Sequence, residues 1–568
     1  MRAPGRAQMQ NIHAAESALR KRLVACLVVA LVAAATWWPR IDGPIDLRFD
    51  AGAYYILGTS LARGEGYRIL SEPGEIPSSL HPPLVPALVA AHQLGLQTSD
   101  PVIVGHALRL TMALASVAYA VAVFVLLAGY IPRRYAAAAA VLTVLPPQYV
   151  YFSDALYAET LFALFTVLFF VLHRHRRSTA CFLLSGLCAV LAYETRTAGV
   201  ALLVAWVADS LLRREFKRAG IALVVALAPV LAWMGWIHAV ESSPSYRQPA
   251  YAYQTAPYLY FNVSYARNLS LQDPWAPELG PLTRRGFVER LRSNAKIVPK
   301  SIGQAVSSWE APFRVWGPLA LLVFLGLLLQ VKRRQLVMLL YVALSLAAVC
   351  STPFQQQFVR YVMPLYPFFA LALFQLLAWA AVEARSRWPR LPPFITSAPG
   401  WAVLALIAVQ VLPALREMYR QKHEVVAYEH AGERVTYRLF YYSPVGPAFD
   451  EALDWLHSRA APRDVIAAGD PQWVYLRTGR KAVLAPLEID GKKALQLIDS
   501  VPVKYLFAPS TGGYQRFIAA LIAENPDAWR RVWSSANGTI DVYERVAPRA
   551  PSERTDAAPA LGARAGGS

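Results

Sequence analysis

Asp50-Ala51-Gly52-Ala53-Tyr54-Tyr55-Ile56-Leu57-Gly58 opens a stretch that runs through Leu61-Ala62-Arg63-Gly64-Glu65-Gly66-Tyr67 and closes at His81-Pro82-Pro83. Its first part reads as a short helix. Asp50 and Tyr54 lie one turn apart on it and share a face. Gly64 and Gly66 end the helix, because glycine takes the left-handed conformation at a helix terminus without strain. Pro82 and Pro83 suit the first turn of a following helix, where a missing N–H leaves nothing unpaired. The expected layout is helix, loop, helix, with a lone carboxylate at the start.

What flanks this stretch sets the fold class. The chain has 568 residues and is 56% hydrophobic, and its apolar residues fall in repeated long runs, unlike those of a soluble protein. Upstream, Arg20-Lys21-Arg22 precedes an apolar run from Leu23 to Trp38 that closes on Trp37-Trp38-Pro39-Arg40. That is the pattern of an uncleaved first span with an interfacial anchor, since no small-residue cleavage site follows. Downstream runs cover Val102–Tyr130, Ala136–Val150, Leu156–Leu172, Thr179–Tyr193, a run ending at Leu212, and Ile221–Val240. Later ones cover Pro318–Val331, a run ending at Cys350, Phe358–Val382 and Trp401–Leu415. If the chain threads a bilayer about eleven times, every basic burst between these runs falls on one side. The expected fold is a polytopic α-helical membrane protein of about eleven transmembrane helices with a small C-terminal extracytoplasmic α/β domain.

The net charge of +19 raises nucleic-acid binding as a function class. The Lys and Arg residues instead fall in bursts such as Arg213 to Arg218 and Lys332-Arg333-Arg334, which is the positive-inside pattern of membrane topology. The four cysteines, Cys26, Cys181, Cys188 and Cys350, all lie in apolar runs. They form neither a disulfide framework nor a zinc-type spacing.

Residues 1–19 read as a disordered cytoplasmic N-terminus, and residues 20–415 as the transmembrane domain with outer loops at 41–101 and 241–310. Residues 416–547 read as the extracytoplasmic α/β domain and 548–568 as a disordered tail rich in Ala, Pro, Arg, Gly and Ser. Within the α/β domain, Ala452–Leu456 and Phe517–Ala523 read as helices. Asp464–Ala468, Val474–Leu476, Lys504–Ala508 and Ile540–Tyr543 read as strands or short elements. The 241–310 loop carries Tyr246, Tyr251, Tyr253, Tyr258, Tyr260, Trp275 and Trp309, read here as a membrane-interface belt.

The order acidic residue, Tyr, Gly-x-Gly-Tyr and then basic-Pro-Pro across Asp50–Pro83 resembles the first exported loop of GT-C glycosyltransferases. The groups it is most similar to are the lipid A aminoarabinose transferases and the protein O-mannosyltransferase superfamily. The resemblance implies a glycosyltransferase that moves a hexosyl or pentosyl group from a polyprenyl-phosphate donor, with inversion. The acceptor would be a lipid, glycan or protein on the outer face of the plasma membrane. It also implies that Asp50 is the catalytic base.

Two more carboxylates, Asp154 and Glu159, stand at the outer start of the fourth run. An ionisable Glu159 inside an apolar run is costly and points to function; Asp154 fits a functional role or a helix N-cap equally. The pair could instead bind a divalent cation; no metal ligand is assigned and no other cofactor is expected. His81, Arg63, Arg109, Arg196 and Arg360 are the candidate donor-phosphate ligands, weighed against snorkelling or solvated side chains. His81 stands where the aminoarabinose-transferase pattern has a basic residue before Pro-Pro, and a histidine is only partly charged near neutral pH. Tyr54, Tyr55 and Tyr67 are the candidate substrate-binding residues. The expected partners are the lipid-linked sugar, its acceptor and membrane lipids, with no nucleic acid. A lipid-linked sugar transporter or a non-catalytic glycan assembly protein is the alternative; a transporter should show internal repeats and broken helices at mid-membrane, and no repeat is visible.

The one-sided basic bursts place the N-terminus in the cytoplasm and the 416–547 domain outside. A reporter active only in the cytoplasm, fused after Arg480, is expected to stay silent; a clear signal would overturn that threading.

Overall fold

The computed structural model describes residues 6–255, 257–390, 392–421, 425–439 and 445–546. The tail expected at 548–568 lies outside them. The first helix runs Arg6–Trp37, so the helix takes in residues 6–19, read from sequence as disordered. The apolar runs that follow become the helices Pro101–Leu127, Arg133–Val144, Glu159–His173, Thr179–Thr195, Val200–Leu212 and Phe216–Ser242. Beyond the long loop come Phe313–Lys332, Leu336–Ser351, Tyr366–Arg387 and Pro393–Gln421. The polytopic helical architecture is as expected. The count of about eleven is not reproduced by length: among the described residues, 5 helices are long and apolar enough to cross a membrane, with shorter apolar helices of 10–17 residues among them. Part of the shortfall has a covalent cause. Pro146 and Pro147 break the run expected at 136–150 into Arg133–Val144 and Pro147–Ser153, since proline neither donates a helical hydrogen bond nor tolerates a helical predecessor.

The opening stretch folds as helix, loop, helix, but Pro82 and Pro83 stand just before the second helix, Pro83 at its N-cap, rather than in its first turn. Its helices are Asp50–Ala62 and Leu84–Leu96, and Gly64 and Gly66 take φ of +72° and +86°. The 241–310 loop contains a helix absent from the sequence reading, Arg284–Ala305. It starts where the Thr283 hydroxyl accepts the Gly286 N–H at 3.0 Å. Its polar face binds neighbouring segments: Asn294 donates to the Cys350 and Thr352 carbonyls at 2.8 and 2.9 Å.

The C-terminal region holds strands β1 (Val425–His430), β2 (Glu433–Arg438), β3 (Val465–Ala467), β4 (Ala482–Val483), β5 (Val503–Pro509), β6 (Trp529–Ser534) and β7 (Ile540–Arg545). β1 and β2 form a separate antiparallel hairpin, and the other five make a mixed sheet in the order β4-β3-β5-β7-β6. Val474–Leu476 is not a strand. It lies in the helix Pro471–Thr478, where Asp470 caps the start, Pro471 takes the first turn and Gly479 closes the end at φ 68°.

The loop aromatics do not all form a belt. Tyr251, Tyr253 and Leu259 are buried in one apolar cluster with Val465, Leu506 and Phe517 of the C-terminal region. The long loop is thereby packed onto the sheet domain.

Some helices meet at backbone distance. A Cβ on Gly326 would lie 2.1 Å from the Ala372 carbonyl oxygen, so only glycine lets the Phe313–Lys332 and Tyr366–Arg387 helices approach this closely. Gly326→Val is expected to destabilise the protein by about 1–3 kcal/mol or more through overpacking, read as a lower melting temperature in detergent. Gly220→Ala, where nothing lies within 4 Å of the added Cβ, is the neutral control.

Candidate active site

The Asp50 helix begins from a constrained turn. Phe49 has φ 58° and ψ −131°, a region that glycine prefers and other residues hold only when their surroundings require it. Its N–H donates to Asp470 Oδ2 at 2.8 Å. Just upstream, the Asp46 N–H donates to the Asp154 carbonyl at 3.2 Å, and the Leu156 N–H donates to the Asp46 carbonyl at 3.1 Å. These bonds join the segment before Asp50 to the chain that enters the Glu159–His173 helix.

From this start the Asp50 carboxylate meets Arg360, with Oδ2 2.7 Å from Nη1. Arg360 lies on the short helix Phe358–Val362, which gives way to a 3-10 turn over Met363–Leu365 carrying Pro364. Arg360 Nε donates to Glu159 Oε1, and its Nη2 lies 3.4 Å from Oε2. Arg196, extended at φ −151° after the Thr179–Thr195 helix, also donates to Glu159 Oε1. The Arg360 guanidinium sits 4.2 Å from the Tyr157 ring centre, and that of Arg196 5.1 Å from the Tyr361 ring. The result is a row of alternating charges, Asp50, Arg360, Glu159, Arg196, that sums to zero. Such balance is what allows ionised groups to be buried at all.

Exposure separates the two carboxylates. The Glu159 side chain is 0% exposed, Arg360 10%, Arg196 21% and Asp50 39%. A reagent can reach Asp50 and Arg196 but not Glu159. Burial by itself would raise the Asp50 carboxyl, but the charges of Arg360, His81 and Arg196 outweigh it and hold the group below its ordinary pKa. Burial, with Arg360 and Arg196, pushes the His81 pKa down and favours its neutral ring, although Asp50 alone would favour the charged one. That ring packs edge-on to Tyr54, with centres 4.8 Å apart, and the Tyr67 hydroxyl donates to the His81 carbonyl at 2.8 Å.

The other sequence candidates lie elsewhere. Asp154 is buried 3.6 Å from Arg40 and 3.9 Å from Arg109. Arg109 donates to the Arg40 and Asp42 carbonyls. This second cluster fixes the chain between the first helix and Asp46. Tyr55 points to the far side, donating to the Ser99 carbonyl at 2.9 Å. Arg63 is exposed at the end of the Asp50 helix. Asp50 and Glu159 do not converge on a shared cation position, because the Arg360 guanidinium lies between them. Among the described residues no group of three or more His, Cys, Asp or Glu gathers elsewhere to hold a metal. Asp154 and Glu159, the pair weighed for a cation, stand in separate clusters, Asp154 beside Arg40 and Arg109 and Glu159 beside Arg196 and Arg360.

Several polar residues of this region escaped sequence reasoning. Arg48 pairs with Asp450 at 2.9 Å, and Asp470 accepts from Phe49. Glu72 is buried, and its Oε2 accepts from Tyr251, Gln254 and Asn262 at 2.9, 3.2 and 2.7 Å. Burial pushes its carboxyl up to about 7, against the pull of these three donors. Its contribution to holding the two outer loops together is therefore greatest below its ordinary value of 4.5 and is lost as pH rises through about 7. Loop carboxylates and arginines are ordinarily solvated, so nothing local in the sequence marks these.

No family model matches the sequence, and no curated protein does. Solved structures do. The archaeal oligosaccharyltransferase AglB from Archaeoglobus fulgidus, in complex with an inhibitory peptide and a dolichol-phosphate, superposes with a TM-score of 0.55 at 12% identity, over 94% of this chain and 75% of that one. The same organism's oligosaccharyltransferase in complex with Zn and sulfate gives 0.50 at 14% identity, over 92% and 73%. ArnT from Cupriavidus metallidurans bound to undecaprenyl phosphate is also similar, at 0.45 and 13% identity over 94% and 98%. At these identities the likeness shows a shared fold, that of the archaeal oligosaccharyltransferase.

Glu159→Gln would leave two largely buried guanidiniums facing one carboxylate. Breaking a buried pair in this way costs about 3–5 kcal/mol, so the variant is expected to melt well below the parent in lipid nanodiscs. Asp50→Asn, at the exposed end of the row, is expected to melt close to the parent.

Proposed function

We propose that the protein is a membrane glycosyltransferase that moves a sugar from a polyprenyl-phosphate donor to a lipid, glycan or protein acceptor on the outer face of the plasma membrane. The observation that carries this reading is the reachable Asp50 carboxylate, kept ionised by Arg360 and flanked by Arg196 and His81. Fold likeness to an oligosaccharyltransferase that binds a dolichol-phosphate supports it.

In this reading the acceptor hydroxyl gives its proton to Asp50 as its oxygen bonds to the anomeric carbon. The bond from that carbon to the phosphate oxygen breaks, and the phosphate leaves with the electron pair. In-line attack of this kind inverts the anomeric centre. Arg196 has N–H groups to spare and takes the charge that grows on the leaving phosphate, with Arg360 beside it and His81 as a neutral hydrogen-bond donor. A base held below its ordinary pKa is weak in the ground state. It suffices here because the hydroxyl proton becomes acidic only as the new bond forms. Tyr54 and Tyr67, around His81, line the donor side. Glu159 anchors the two arginines and does not meet substrate. The one-sided basic bursts support an outward position for this face.

The break at Met363–Leu365, next to Arg360, favours the transporter reading in one respect, because transporters interrupt helices at their binding sites. Release of free polyprenyl phosphate from a polyprenyl-phosphate sugar separates the two readings, since transport leaves the donor intact. For the purified enzyme, Asp50→Asn is expected to lower turnover by roughly 10²–10⁴-fold with donor binding retained. Parent-level transfer by that variant would exclude Asp50 as base. Mass spectrometry of surface glycans in a deletion strain identifies sugar and acceptor.

The depressed Asp50 carboxyl carries a pH signature. The base form persists above its pKa, so kcat/KM should hold to below the ordinary value of 3.8. Arg360→Gln should move that acid limb upward; an unmoved limb would separate Arg360 from the group that titrates.

A further inference from the structure

The C-terminal region touches the Asp50 segment at a row of points that the transfer chemistry does not use. Arg48 Nη2 meets Asp450 Oδ2 at 2.9 Å. The Phe49 N–H donates to Asp470 Oδ2 at 2.8 Å. Gly52 lies so near the Pro471–Thr478 helix that a Cβ on it would stand 2.8 Å from the Gln472 Cβ. The second oxygen of Asp470, Oδ1, accepts the Trp473 N–H at 3.2 Å and so caps that helix. One buried carboxylate thus joins the start of a domain helix to the residue immediately before Asp50.

Phe49 needs such a hold. Its backbone occupies a region that non-glycine residues leave readily. The residue is 49% exposed, so burial of its side chain does little to fix the turn. A bond from its own N–H does, and Asp470 accepts it.

We propose that Asp470 is a positioning residue for sugar transfer. It holds the Phe49 turn that aims Asp50 at Arg360 and the acceptor, and it makes the C-terminal domain part of the catalytic unit rather than only a cover. This rests on the reading of Asp50 as the base.

The test uses the full-length protein in nanodiscs. Asp470→Ala removes both accepting oxygens; Asp470→Asn keeps a carbonyl that can accept the Phe49 N–H. Displacing a reacting group by about 1 Å costs about 10²-fold, so Asp470→Ala is expected to lose kcat on that scale with the donor KM near the parent's. Asp470→Asn is expected to recover most of it. Hydrogen exchange of peptides covering residues 46–56 should quicken in the alanine variant and match the parent in the asparagine variant. Parent-like kcat in Asp470→Ala overturns the proposal, and so does a fall in kcat with unchanged exchange in this segment. If the alanine variant does not fold, Gly52→Ala carries the test: its Cβ would stand 2.8 Å from both the Gln472 Cβ and the Leu47 carbonyl oxygen, so it disturbs the contact between the Asp50 helix and the helix that Asp470 caps. It should lower kcat at constant donor KM, and a parent-like kcat overturns the proposal. Should the parent transfer no sugar, the functional reading falls, while the exchange contrast still decides whether Asp470 holds the turn.

Discussion

A guanidinium at the end of an apolar span is tolerated only if opposite charge meets it there. Arg360 is that group. It contacts Asp50 on one side and Glu159 on the other, above the Tyr157 ring. Three segments far apart in sequence converge on it: the Asp50 helix, the start of the Glu159–His173 helix, and the turn that carries Arg196. Pro364 ends the regular helix just after Arg360, and the next helix resumes at Tyr366. The charges on either side would each be costly alone, and together they specify how the outer ends of the spans meet.

The same arginine gives its two partners different fates. Glu159 is sealed and serves the arrangement; Asp50 is half open and serves the reaction proposed here. Outside the spans, a second set of contacts closes over this row. The Tyr260 and Tyr514 hydroxyls meet at 2.8 Å, and Lys481 pairs with Glu75 at 2.6 Å. Long loop, first loop and sheet domain are thus joined directly above the membrane part.

The apolar helices were legible because hydropathy over long runs is a strong signal, though their number as spans was not. Asp50, Glu159, Arg196 and Arg360 were legible as a set because charged residues beside apolar runs stand out. Arg109 stood out for the same reason, yet its charge serves backbone carbonyls near Arg40; the sequence cannot say which way such a side chain turns. Val474-Tyr475-Leu476 misled through local composition. Asp470-Pro471 before it and Gly479 after it are helix start and stop signals that outweigh a three-residue apolar run. The Arg284–Ala305 helix was hidden because its contacts are polar. The β1–β2 hairpin turns at Ala431 and Gly432, both at positive φ, a turn that alanine does not announce. Glu72 gave no local sign, since its partners lie 179 or more positions away, and Asp470 announces its helix cap but not its bond to Phe49, 421 positions away.

The Phe49–Asp470 bond joins residues 421 positions apart. During synthesis, the helix bearing Asp50 is made long before Asp470. Until then the Phe49 N–H lacks its acceptor, and the turn is held only by bonds within the membrane part. Chain order thus delays this contact until the C-terminal region is made. A product truncated before β3 would retain every group of the charged row and still lack this closing contact.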